Sequence, residues 1–173
     1  MRAEDVVEVV QFLVGNGISV WLEGGWGVDV LLEEQTREHA DLDLVAGLSD
    51  VPRLQALLGG RGFKPVDGGP PSNFVLADEK GRRVDVNPVT WGEQGNGICQ
   101  LHGEEWVYPA SGFNGRGSVL GQRVRCLTAE AQMLCHTGYE LSEKDFREME
   151  TLHARFGVEY PPEYHKRPDH DQT

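Results

Sequence analysis

Asp41 and Asp43 stand one residue apart, downstream of the run Gly24-Gly25-Trp26-Gly27. On a strand, side chains i and i+2 share a face, so the two carboxylates point the same way. Left alone they repel. A hard divalent cation between them removes the repulsion, and Mg²⁺ takes one or two carboxylates with water and phosphate oxygens completing its shell. Glycines at the start of a helix let backbone N–H groups approach a phosphate. Metal beside phosphate points to phosphoryl or nucleotidyl chemistry.

A third carboxylate, Asp85, lies in Arg82-Arg83-Val84-Asp85-Val86-Asn87, where the flanking valines turn one way and Asp85 the other. If its strand neighbours that of Asp41 and Asp43, parallel or antiparallel, three carboxylates converge. Without a counter-ion they raise one another's pKa and cost stability. Two metals in such a set activate an attacking hydroxyl and neutralise a leaving pyrophosphate. Each piece alone has a plainer use: a tight turn, a solvated strand face, a surface charge. The order of the pieces carries the reading, because glycine turn, helix, Asp-x-Asp strand and later strand aspartate occur in one short stretch.

The elements that must position these residues follow from periodicity. Val6, Val9, Val10, Leu13 and Val14 form one helical stripe over residues 3–15. Residues 18–22 read as a first strand, 26–34 as a helix opening at the glycine turn, and 41–46 as a second strand with Leu42 and Leu44 inward. Ser49 or Asp50 caps a helix over 51–58, with Pro52 in its first turn. Residues 63–66 read as a strand, and 73–77 with 82–87 as a hairpin. From 90 to 121 glycine is dense and periodicity poor, with a short strand at 106–108. Thr128 opens a helix to about 136, and Ser142 with Asp145 caps a last one to 156. These elements make an α/β (α+β) fold: a small mixed sheet flanked by helices, with a helical C-terminal part. The hairpin argues against a doubly wound parallel sheet. The expected division is a catalytic domain over 1–120, a C-terminal helical segment over 121–160 packed on it, and a disordered tail over 161–173.

Bulk properties bound the partners. The chain has 173 residues, 39% of them hydrophobic, with a formal net charge of −12. Such acidity disfavours nucleic-acid phosphate and favours a cationic small molecule. Cys99, Cys126 and Cys135 fit no zinc spacing and read as reduced thiols, as in a cytosol. Acidic residues follow Met1 where a signal peptide carries basic ones, and no apolar run approaches a membrane span. The expectation is a cytoplasmic enzyme without membrane contact.

The stretches Trp21–Leu31 and Thr36–Leu44 resemble the core motif of antibiotic nucleotidyltransferases, within the polymerase-β-like nucleotidyltransferase superfamily. Cys126–Leu141, with His136-Thr137-Gly138-Tyr139, resembles the C-terminal segment of the short lincosamide nucleotidyltransferases more than that of the aminoglycoside 2″ enzymes. The resemblance implies the nucleotidyltransferase fold and transfer of AMP from ATP to a drug hydroxyl, with Mg²⁺ and release of pyrophosphate. It implies that Asp41 and Asp43 hold Mg²⁺ and that Asp85 is a ligand or the base. Gly24 and Gly25 then face the triphosphate, and Arg37 is a phosphate-facing cation. A homodimer is consistent with it. His136, Tyr139, Trp91 and Tyr108 are acceptor-site candidates, the aromatic ones as a wall for a ring; Glu104 and Glu105 could attract an amine. Two readings stand beside this one: the same chemistry on an aminoglycoside or another natural acceptor, and a non-catalytic, antitoxin-like binding module.

Overall fold

The structure, a computed structural model, describes residues 1–101 and 103–166. Its elements run α1 (Ala3–Gly15), β1 (Val20–Glu23), α2 (Gly24–Leu32), β2 (Leu42–Gly47), α3 (Val51–Gly59), β3 (Lys64–Gly68), β4 (Phe74–Ala77), β5 (Arg83–Trp91), β6 (Gly97–Leu101), β7 (Glu104–Tyr108), β8 (Arg116–Val119), β9 (Gln122–Arg125), α4 (Ala129–Leu134) and α5 (Glu143–Phe156), with three short 3-10 turns between or after them.

The main sheet is mixed, as expected. Its strand order is β1-β2-β5-β4-β3, and β6 continues from β5 to pair with β7. Among the strands of the described residues, only β2 and β5 pair in parallel; the neighbouring pairs are antiparallel. Strand alternation sorts the side chains. Val20, Leu22, Leu42, Leu44, Ala46, Phe74, Leu76, Val84 and Val86 turn to one face and form the main core with Val6, Val9, Val10 and Leu13 of α1 and Val51, Leu54 and Leu58 of α3. Each fully buried aliphatic side chain there contributes about 1.5–3 kcal/mol of transfer free energy. The intervening residues, Asp43, Asp85 and Asn87 among them, turn to the other face. A second cluster of Val45, Val89, Cys99, Tyr108, Phe113 and Leu127 covers part of that face.

The C-terminal helices close the molecule beside α2. Val28 and Leu32 of α2 pack with Ala129, Met133, Phe146, Met149 and Leu152 of α4 and α5. Thr128 caps α4, and Ser142 and Asp145 form the capping box of α5 that the sequence predicts. The division expected at residue 120 falls inside the β8–β9 hairpin.

Two local expectations change. Residues 90–121 hold β6, β7 and β8 rather than one short strand, and β9 follows directly. Their alternation is weak because Glu104, Glu105 and Val107 of β7 and Gln122, Arg123 and Arg125 of β9 are exposed, so few apolar residues mark the period. The expected disordered tail begins too early: Pro162–Lys166 forms a 3-10 turn, and Tyr164 stacks on Tyr160 and packs against Phe146. Residues 167–173 of that expected tail lie outside the described residues.

Candidate active site

Register brings the acidic residues together. Glu23 is the Cα partner of Asp43 on the antiparallel pair β1·β2, and Asp43 is the partner of Asp85 on the parallel pair β2·β5. Three carboxylates from three adjacent strands therefore lie in one row across the sheet. All three line a cavity of about 540 Å³ with Gly24, Gly25, Asn87, Trp106, Tyr108, His136, Tyr139 and Lys144. That volume suits a small-molecule site. Asp41, half-buried just before β2, is not among the lining residues, but its charge reaches both Asp43 and Asp85.

The electrostatics match an assembled anion cluster. Burial raises Asp43 well above the ordinary carboxylate range, and the charges of Asp41, Glu23 and Asp85 push it further. Burial and then Asp41 raise Asp85 to about 6, while Arg83 opposes the shift. Burial also raises Glu23, against hydrogen bonds from Asn87 and Tyr108. Oδ1 of Asp85 is buried and has no hydrogen-bond partner. A buried carboxylate oxygen left unpaired beside two other carboxylates is a donor set short of a cation, and hard oxygen ligands of this kind fit Mg²⁺.

The two glycines sit where a side chain would collide. The helix α2 begins at Gly24 itself, so the turn is its first turn rather than a loop before it. Gly24 has φ +59°, and a Cβ there would run into the Asp43 carboxylate. A Cβ on Gly25 would meet the His39 ring and the Arg37 guanidinium. Both glycines face the cavity at the positive end of α2, where an anion is favoured.

Glu23 also organises the adjoining wall. Its carboxylate accepts hydrogen bonds from Asn87 and, at 3.1 Å, from the Tyr108 hydroxyl. At the other side, the Tyr139 hydroxyl donates to Asp145 at 3.2 Å and lies 3.2 Å from His136 Nδ1. His136 Nε2 is 3.6 Å from Glu148. Burial works against ionisation of Asp145, but hydrogen bonds from His136 and Ser142 hold its carboxyl below the usual range.

Of the residues singled out from sequence, Asp43, Asp85, Gly24, Gly25, Tyr108, His136 and Tyr139 meet in this cavity, as do Glu104 and Glu105. Trp91 does not line it. It packs edge-on against Trp21 and Phe113, and Trp106 stands in the cavity instead. Arg37 lies outside the lining as well: Nη2 and Nε bind Glu148 Oε1 at 2.5 and 3.2 Å, and Nη1 donates to the Glu38 carbonyl. His39 packs rather than lining the cavity, with Nε2 2.5 Å from Asp29 and its ring against Trp26. Glu23, Asn87, Lys144, Asp145 and Glu148 went unrecognised as site residues. Asn87 carried a signal, two residues beyond Asp85 on the same strand face; Glu23, directly before the glycines, carried another.

Residues 5–152 match the sequence profile of the family described as aminoglycoside-2″-adenylyltransferase. A lincosamide resistance protein of Staphylococcus haemolyticus is 31% identical over 137 residues, which cover 78% of this chain and 84% of that protein. A 2″-aminoglycoside nucleotidyltransferase of Escherichia coli is 29% identical over 119 residues, 67% of this chain and 62% of that one. The crystal structure of the lincosamide antibiotic adenylyltransferase LnuA with lincomycin bound superimposes with a TM-score of 0.77 at 27% identity, covering 88% of this chain and 96% of that one. Together with the carboxylate row, these likenesses settle the lineage: the chain is a nucleotidyltransferase and belongs to the aminoglycoside-2″-adenylyltransferase family.

Proposed function

We propose that this enzyme transfers the AMP moiety of ATP to a hydroxyl of a lincosamide antibiotic, with Mg²⁺ and release of pyrophosphate. The observation that carries the reading is the register pairing of Asp43 with Asp85, which leaves Asp85 Oδ1 buried and unpartnered at a cavity of drug size. Asp41, Asp43 and Asp85 would hold the metal, and when bound it would supply the positive charge that phosphate oxygens and a leaving pyrophosphate require. Backbone N–H groups of Gly24 and Gly25, at the start of α2, favour the anionic tail of the nucleotide. Asp85, raised to about 6 by burial and Asp41, is suited to take the acceptor proton near neutral pH. Glu23, through Asn87 and Tyr108, holds the wall beside Asp85 in place. Trp106, Tyr139, Glu104 and Glu105 offer aromatic surface and negative charge to a sugar-bearing amine.

The lincosamide is preferred over other acceptors because the relative with lincomycin bound matches nearly end to end, whereas the chain spans 62% of the aminoglycoside enzyme. The acidic cavity favours a second acceptor class, the polycationic aminoglycosides. A non-catalytic binding module is disfavoured because all three aspartates are present and Asp43 pairs in register with Asp85. The test is incubation with ATP, Mg²⁺ and either lincomycin or tobramycin, read by mass spectrometry. A nucleotide-mass adduct on lincomycin supports the proposal, one on tobramycin alone moves the acceptor assignment, and no adduct on either overturns both.

A further inference from the structure

Tyr139 stands on the loop between α4 and α5, directly after Gly138, whose φ of +84° turns the chain there. It is 46% exposed and lines the cavity, yet its hydroxyl is held from two sides. The hydroxyl donates to Asp145 Oδ1 at 3.2 Å, which leaves His136 Nδ1, also at 3.2 Å, as the donor to the phenol oxygen. His136 and Asp145 are buried. A hydroxyl anchored on buried groups leaves the ring as the exposed part. Glu148, buried as well, divides its carboxylate: Oε1 accepts from Nε and Nη2 of Arg37, and Oε2 lies 3.6 Å from His136 Nε2. Asp145 divides its own between Tyr139 and the backbone N–H of Ser142, at 2.7 Å. A chain of contacts therefore runs from Arg37, in the loop that leads into Asp41, through Glu148 and His136 to Tyr139.

Docking α5 does not call for this chain. Phe146, Met149 and Leu152 already pack that helix on α2 and α4. Burying two carboxylates and an imidazole costs desolvation that apolar residues of similar size would avoid. What the chain does supply is a fixed orientation for an aromatic ring on a loop, where side chains otherwise move freely. We propose that Glu148 and His136 are positioning residues for acceptor binding: they hold the Tyr139 ring in place as a preformed wall for the drug. This rests on the transfer reading above and adds to it the residues that set acceptor affinity from outside the carboxylate row. A ring fixed in advance spares the acceptor the cost of ordering it.

A double-mutant cycle tests the assignment. The KM for lincomycin, the KM for ATP with Mg²⁺, and kcat are measured for the wild type, Tyr139→Ala, Glu148→Gln and the double variant. Ordering one such side chain on binding corresponds to about a 2- to 10-fold change in affinity. Glu148→Gln is expected to raise the KM for lincomycin by that factor, with kcat and the KM for ATP unchanged. Tyr139→Ala should raise it by at least as much, and Glu148→Gln should then add nothing, because no ring remains to be positioned. Should Glu148→Gln fail to fold, His136→Ala enters the same cycle with the same expected outcomes. An equal effect in both backgrounds, an unchanged KM for lincomycin in either single variant, or a parallel rise in the KM for ATP overturns the positioning role while the transfer reading stands. A wild type that does not modify lincomycin overturns the acceptor reading, and the positioning role with it.

Discussion

Asp43 and Asp85 are register partners on the single parallel strand pair of the main sheet. Because their strands run side by side, the two carboxylates share the face that the core leaves open. The apolar neighbours Leu42, Leu44, Val84 and Val86 fill the opposite face.

Burial and the charge of Asp41 make Asp85 in the metal-free site a source of instability. Asp85 ionises in the unfolded chain near the ordinary carboxylate pKa but only at about 6 in the folded one. Between those values the folded state binds more protons, so stability falls as pH rises through that window. Asp85→Asn is therefore expected to raise the melting temperature of metal-free protein at about pH 7.5 and to have a smaller effect at about pH 4.5. Differential scanning fluorimetry with a chelator checks this, and adding Mg²⁺ should raise the wild-type melting temperature more than that of the variant.

Activity should follow the opposite course with pH. If Asp85 accepts the acceptor proton, kcat/KM declines as pH drops through the pKa of Asp85, about 6 in metal-free protein and lower with Mg²⁺ bound. Asp85→Asn should remove that limb and lower kcat by about 10²–10⁴-fold. A pH–rate profile of the two proteins distinguishes a base from a group that only binds metal.

Gly24 is the tightest point of the α2 turn. Alanine there must adopt left-handed backbone, costing about 1–2 kcal/mol, and its Cβ meets the Asp43 carboxylate. Gly24→Ala should lower kcat by about 10²-fold through displacement of Asp43. Steady-state kinetics beside a chemical denaturation curve will separate the catalytic loss from the stability loss.

The His39–Asp29 pair is structural. Both side chains are buried, Thr36 donates to the second Asp29 oxygen at 2.6 Å, and the His39 carbonyl accepts from the chain's amino terminus at 2.6 Å. His39→Ala is expected to cost about 3–5 kcal/mol, because it leaves a buried carboxylate without its partner. Urea denaturation measures the loss, and the protein that remains folded should retain Mg²⁺·ATP binding.

Much of this was legible in the chain. Asp41, Asp43, Asp85 and the two glycines are close in sequence to the elements that hold them, and strand alternation alone sets their faces. The capping box of Ser142 and Asp145 was equally local. What escaped was long-range. The opposition of Glu23 to Asp43 depends on strand order, and the closure of the cavity by Lys144, Asp145 and Glu148 depends on how α5 docks. Arg37 looked like a free cation because its partner, Glu148, lies 111 residues away. Trp91 looked like a cavity wall because periodicity fails to show β6, whose hairpin with β7 carries Trp106 into that place.

The central claim is that the Asp43–Asp85 row performs nucleotidyl transfer, and its most direct measure is pyrophosphate release from ATP with Mg²⁺ and lincomycin. The wild type should release pyrophosphate in step with a nucleotide-mass adduct on the drug. Asp43→Asn, folded by circular dichroism, should lose at least about 10³-fold in rate. Release by Asp43→Asn at the wild-type rate would contradict the account.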